Sequence, residues 1–270
     1  MSAEDRSLGR RSLSACVFVP AVLAALWAGG WALFSLVVLV VGRGTWELLH
    51  MASRAGHRPA VAAGVALALA WCLYLQVRGA DAGLVLLLMA AVVVALGAAL
   101  RRGVEGFLAN ALITLGGLLY VAVLGAAPLL LAPRLGHEAG WMMVALFACI
   151  WLTDTAAYLG GRRWGRRRLA PTISPGKTVA GFVCGLAGGL VPLLLWPQLP
   201  TWSLPELAGL FLLVSLGGQA GDVVESAIKR DLGVKDAPVL IPGHGGMLDR
   251  FDSYLFAFPL AYVYTVVFRS

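Results

Sequence analysis

The chain has 270 residues, of which 60% are hydrophobic and only 13% charged, and its net charge is +7. A mean hydropathy of +0.84, with repeated apolar runs near the roughly 20 residues needed to cross a bilayer, excludes a soluble globular protein and predicts an all-α polytopic membrane protein. The positive charge does not point to nucleic acid, because most arginines fall in short loops between apolar runs, where bilayer orientation accounts for them.

In chain order, nine spans are predicted, at about 14–28, 31–52, 60–77, 82–100, 106–132, 140–160, 178–197, 204–227 and 250–268. The polar start MSAEDRSLGRR followed by an apolar run is read as leading into an uncleaved first span rather than as a signal peptide. The first two spans admit a second reading, in which Cys16 to Val41 is one long helix broken at Gly29-Gly30; that gives eight spans and moves the N-terminus to the other side. Arg43 and Glu47 stand one helical turn apart and are expected to pair at the interface, with the stretch after Val41 lying along the membrane surface. Cys16, Cys72, Cys149 and Cys184 sit within apolar runs without CxxC spacing and read as small buried hydrophobes.

Loop charge sets the orientation. With nine spans and a cytoplasmic N-terminus, only Arg78, Arg134 and Arg269 of the 21 lysines and arginines fall on the outer side. The two longest polar loops, 161–177 and 228–249, then face the cytoplasm, where nucleotides are available. No internal repeat or low-complexity segment is visible, so residues 1–270 read as one membrane domain with its chemistry in the C-terminal half.

Asp154, in WLTDTAAYLGG near the end of the sixth span, is either satisfied by local hydroxyl and backbone donors or part of a site, since intramembrane acids tend to face a cavity. The following loop carries Arg162, Arg163, Arg166, Arg167 and Arg168 and then a segment, 172–178, that mimics a nucleotide P-loop. Pro171 stands where GxxxxGK[ST] requires glycine and no hydrophobic strand precedes it, so a P-loop enzyme is excluded. Ser174, Lys177 and Thr178 remain candidates for phosphate through hydroxyl donors and a point charge, against a plainer reading as a capped helix start beside a topological arginine run.

Asp222, Glu225, Ser226 and Lys229 recur at three- and four-residue intervals and share one helix face. Asp222 lies deepest, and a second acidic pair, Asp249 and Asp252, stands at the start of the last span. Two facing carboxylate clusters suit a hard cation such as Mg²⁺, which takes one or two carboxylates together with waters and substrate phosphates. The simpler reading of Asp249 and Asp252 is a pair of first-turn acids favoured by the helix dipole. Lys229 and Arg230 read as phosphate contacts or as snorkelling side chains. Between the clusters, Pro242-Gly243-His244-Gly245-Gly246 forms a turn whose backbone N–H groups can approach an anion closely, with His244 either among the phosphate contacts or structural.

The string from Ser226 through Lys229-Arg230, Lys235-Asp236, Pro242, His244-Gly245-Gly246, Asp249-Arg250 and Asp252-Ser253 resembles the C-terminal signature of the phosphatidate cytidylyltransferase (CDP-diacylglycerol synthase) family. DTAAY at 154–158 and SPGKT at 174–178 resemble that family too, in the expected order. The likeness covers the C-terminal half by motif and the whole chain by size and hydropathy. Three positions depart from it: relatives often have a second lysine at Gly176, a glutamate or glutamine at Ala180, and a small residue at Pro238.

The resemblance implies transfer of CMP from CTP to phosphatidate, giving CDP-diacylglycerol and pyrophosphate for phospholipid synthesis at the cytoplasmic face of the cell membrane. It implies that Asp222 and Asp249 hold Mg²⁺, with a second, monovalent cation allowed, and that Lys229, Arg230, His244 and Asp252 are catalytic. Substrate contacts would come from Asp154, Ser174, Lys177, Thr178, Ser226, Lys235, Gly245, Gly246 and Arg250. The implied partners are CTP, phosphatidate and the bilayer, with a homodimer suggested and no nucleic acid. The DGxxAR…GxxxDxxxD pattern of the CDP-alcohol phosphotransferases is absent. An ion-coupled transporter with Asp154 and Asp222 as ion sites is the alternative, and it would call for a repeat symmetry that the sequence does not display.

Overall fold

A computed structural model describes residues 18–81, 83–101, 103–238 and 245–269. Among these described residues ten helices follow one another: α1 (Phe18–Ala28), α2 (Gly30–Arg54), α3 (Val61–Arg78), α4 (Gly83–Leu100), α5 (Phe107–Gly117), α6 (Ala127–Arg134), α7 (Ala139–Trp164), α8 (Val179–Gly188), α9 (Leu204–Asp231) and α10 (Leu248–Phe268). A wide π turn at Leu118–Val123 carries α5 towards α6, so Phe107–Arg134 counts as one span; α8 runs on into tight 3₁₀ turns at Val191–Gln198. Among the described residues, eight helical stretches are long and apolar enough to cross a membrane, and α1 is a shorter apolar helix. The protein is therefore an all-α polytopic membrane protein; of the nine spans expected, the first, at about 14–28, lies partly outside the described residues and is described only from Phe18 as α1.

The first two spans meet at Gly29 and Gly30, whose φ angles of 63° and 49° lie in the left-handed region that glycine adopts without steric cost. The chain folds back there. Trp27 meets Trp141 edge-on at 4.4 Å and Phe18 meets Phe251 at 6.1 Å, so α1 lies along α7 and α10. The stretch after Val41 is not a separate element. The helix continues to Arg54 and buries Val41, Gly44, Thr45, Glu47, Leu48, Leu49, Met51 and Ala52. Arg43 and Glu47 pair as expected, at 2.9 Å, but Glu47 is wholly buried.

The core gathers where α2, α6, α7, α9 and α10 meet, around Leu33, Leu131, Met142, Met143, Leu146, Ile150, Leu207 and Phe211. Helix α4, the most apolar span, is only 12% buried, and its exposed Val85, Met89 and Val93 present the hydrocarbon surface expected against lipid. Because lipid is as apolar as the core, helices in a membrane associate by close packing of small residues. Two pairs show this. A Cβ on Gly181 would lie 2.7 Å from Ala157 O and one on Gly188 2.7 Å from Leu152 O, which draws α8 against α7; a Cβ on Gly221 would lie 2.7 Å from Asp252 O, which draws α9 against α10.

Between α7 and α8 the chain forms a small antiparallel hairpin, β1 (Arg168–Ala170) with β2 (Ser174–Thr178), pairing Arg168 with Thr178 and Ala170 with Ser174 across an irregularity. It occupies the second half of the polar loop expected at 161–177. The Arg168 guanidinium donates to Pro175 O across it, and Thr178 Oγ1 accepts from Gly181 N at 3.1 Å to cap α8.

Candidate active site

The approach of α9 and α10 at Gly221 decides where the acids go. Asp222 follows Gly221 on α9, and Asp252 carries the carbonyl against which Gly221 packs. Both carboxyl groups line one cavity of about 570 Å³, together with Asp154 from α7, Lys177 and Thr178 from β2, and Lys229 and Asp249. Residues separated by almost a hundred positions thus converge, and one chamber holds acids and bases together.

Two lysines are held by carboxylates. Lys177 Nζ lies 2.8 Å from Asp222 Oδ2, and Lys229 Nζ lies 2.6 Å from Glu225 Oε2 and 2.7 Å from Asp249 Oδ1. The Glu225 side chain is only 1% exposed, so Lys229 neutralises a charge that has no access to water. Asp249 also accepts from Gly246 N at 2.9 Å and from Ala237 N at 3.1 Å. It therefore fastens the stretch before α10 to the residues following α9. Asp252 Oδ1 accepts from the neighbouring Ser253 N at 2.6 Å.

The remaining described candidates do not line the chamber. Gly246 serves through its N–H to Asp249, and Gly245 has φ +71° with no room for a Cβ, which would lie 2.8 Å from Asp249 Oδ2. Arg230 is exposed and makes long contacts of 3.5 Å to Ile173 O and Val234 O, which places it beside the hairpin turn. Ser174 and Ser226 are half-buried, Lys235 is exposed, and Arg250 lies 5.7 Å over the Phe18 ring. His244, with Pro242 and Gly243, lies outside the described residues.

Leu169, Phe182 and Gln219 also line the chamber and were not singled out from the sequence, and Tyr158 and Ser253, which do so too, entered only within the family-like strings. Gln219 sits three residues before Asp222, on the same face of α9, and that spacing was the available signal. Gly176, one of the three departures from the family pattern, also lines the cavity.

Among the described residues, no group of three or more His, Cys, Asp or Glu side chains encloses a metal ion by itself. Mg²⁺ does not need such a cage, since it keeps waters and substrate phosphates as ligands. The donors here are carboxylate oxygens of the hard type that it prefers. Asp222 gives one oxygen to Lys177, and a carboxylate offers about four lone-pair sites. The residue set fits the ion.

Several proteins of known name are similar to this chain. A phosphatidate cytidylyltransferase of Staphylococcus aureus (strain COL) is 48% identical over 116 residues, 42% of this chain and 45% of that protein. One of Staphylococcus haemolyticus is 46% identical over 120 residues, with the same coverage. Another of a Synechocystis species is 47% identical over 126 residues, 46% of this chain and 43% of that protein. The chain thus matches under half the length of these curated relatives. The description "Cytidylyltransferase family" matches residues 9–268, nearly the whole sequence, and the chain belongs to that family.

Proposed function

We propose that the protein transfers CMP from CTP to phosphatidate, yielding CDP-diacylglycerol and pyrophosphate, as one membrane domain whose active site is the chamber around Asp154, Asp222 and Asp252 on the cytoplasmic side. The observation that carries this reading is the convergence of four carboxylates, Asp154, Asp222, Asp249 and Asp252, and two lysines on one cavity at the ends of apolar helices. Such a chamber suits the joining of two anions beside a lipid phase, and the relatives' names give the reaction.

Asp222 and Asp249 would hold Mg²⁺, with Asp252 in support. When bound, the ion would neutralise charge on the phosphates as the transition state forms. Lys177 and Lys229, now on carboxylates, are placed to hold triphosphate oxygens, a role suited to mobile point charges. Arg230 and Lys235 would meet phosphates at the exposed rim, with Ser174, Thr178 and Ser226 donating hydroxyls. A phosphate oxygen of phosphatidate attacks the α-phosphorus of CTP in line; the bond from that phosphorus to the bridging oxygen breaks, and its electron pair leaves on pyrophosphate. Preorganised positive groups act where that charge develops. The apolar helices keep the acyl chains in hydrocarbon.

Purified protein in mixed micelles, given CTP and Mg²⁺, is expected to release pyrophosphate only when phosphatidate is present. Release without phosphatidate, or none at all, overturns the reaction. An Asp249→Asn variant that retained full Mg²⁺-dependent turnover would overturn the metal assignment alone.

A further inference from the structure

Glu47 lies outside the cavity, yet its side chain has no exposure to solvent. Both of its oxygens are engaged. Oε1 receives the Arg43 Nε at 2.9 Å and accepts from Met247 N at 3.0 Å; Oε2 accepts from Leu248 N at 2.8 Å. These amides open α10, and the first N–H groups of a helix have no partner within it. Helix starts usually take an acceptor from a Ser, Thr, Asp or Asn at the cap position. Here that position is Met247, with no side-chain hydrogen bond to offer. The acceptor comes instead from α2, 200 residues away.

The preceding amide, Gly246 N, goes to Asp249 Oδ2 at 2.9 Å, so Glu47 and Asp249 together grip three successive N–H groups from two directions. The grip is tight, because a Cβ on Gly246 would lie 2.6 Å from Glu47 Oε2. Asp249 in turn receives Lys229. We infer that Glu47 is a positioning residue, which fixes the start of α10 so that Asp249 and Lys229 are presented to the cavity in register. The inference rests on the function proposed above. A carboxylate suits the task because it is drawn to the positive end of the helix and bonds two amides at once with charge assistance. The burial of that charge is offset by Arg43 and by the two amides.

The test uses the full chain in detergent micelles, with Glu47→Gln, Glu47→Met and Gly246→Ala. Methionine fills the volume and accepts nothing; glutamine keeps one acceptor oxygen. Hydrogen exchange across residues 245–250 is expected to rise about tenfold or more in the methionine variant and by less in the glutamine variant, while α2 and the rest of α10 keep their protection. Phosphatidate-dependent pyrophosphate release is expected to lose kcat in the same order, with KM for CTP changed less than about threefold. Gly246→Ala, which displaces the same contact from the other side, is expected to behave as the methionine variant does. Unchanged exchange at 245–250 in the methionine variant overturns the inference. So does a rise shared by all helices with kcat falling only as the folded fraction falls, which marks a packing role. If the parent protein makes no pyrophosphate, the reaction is wrong, and the exchange data alone decide whether Glu47 orders this segment.

Discussion

Lys177 Nζ sits 2.8 Å from Asp222 Oδ2, tying the β-hairpin to α9 in the lining of the cavity. Their side chains are 22% and 37% exposed, so solvent screens the pair and its contribution to stability is about 0–1 kcal/mol. Its place in the chamber matters more. Lys177→Met is expected to lower kcat/KM for CTP about a hundredfold or more and to leave thermal unfolding nearly unchanged. A variant with parental turnover would remove Lys177 from the phosphate site.

Lys229 has the opposite balance. Its removal strands the buried Glu225 carboxylate, and breaking a buried pair by losing one partner costs about 3–5 kcal/mol. Lys229→Met is expected to lower the melting temperature sharply, and Glu225→Gln added to it is expected to restore most of the loss. Strict additivity of the two changes, measured by thermal unfolding in one detergent, would show that the ion pair is not coupled.

Gly221 sets the spacing between Asp222 and Asp252. Gly221→Ala places a methyl 2.7 Å from Asp252 O, and a backbone shift of that kind costs about 1–3 kcal/mol. Activity is expected to fall further than stability does, since both acids move. Gly176→Ala, where a Cβ meets nothing within 4 Å, serves as the comparison and is expected to fold as the parent does.

If Asp222 holds the divalent ion, Asp222→Asn is expected to raise the Mg²⁺ concentration for half-maximal turnover about tenfold or more, and a chelator is expected to abolish turnover in the parent. An unaltered Mg²⁺ requirement in the variant assigns the ion elsewhere.

The orientation has a test of its own. Arg166 is exposed in the loop between α7 and β1, and Arg78 is exposed at the far end of α3. With cysteine placed at each, a membrane-impermeant maleimide added to intact cells is expected to label position 78 and spare position 166, relative to labelling of the parent chain. The reverse pattern would put the cavity on the outer side.

Much of this site was legible because its signals were local. Asp222, Glu225 and Lys229 declared a shared face through their spacing, and Asp154 was conspicuous as an acid in an apolar run. The hairpin was not legible: strands of three and five residues, broken by proline and glycine, carry no periodicity, and the contact of Arg168 with Pro175 O is visible only once the chain has turned. The first two spans were ambiguous because two adjacent glycines permit either a kink or a reversal. Glu47 was read as an interfacial ion pair because its spacing to Arg43 is local, whereas its bonds to Met247 and Leu248 are set by tertiary packing. Asp249 shows both sides. Its position in the first turn was evident, but its bonds to Gly246 N, Ala237 N and Lys229 depend on how two distant segments meet.

The glycine contacts that zip α8 onto α7 and α10 onto α9 also determine what can move. Neither pair can part internally without losing close backbone contact. The two pairs are also joined to each other: Thr153 Oγ1 lies 2.6 Å from Ser215 Oγ, and a Cβ on Gly189 would collide with that hydroxyl. Asp154 and Asp222 are therefore carried on one packed body, and the Lys177–Asp222 ion pair fastens the hairpin to it.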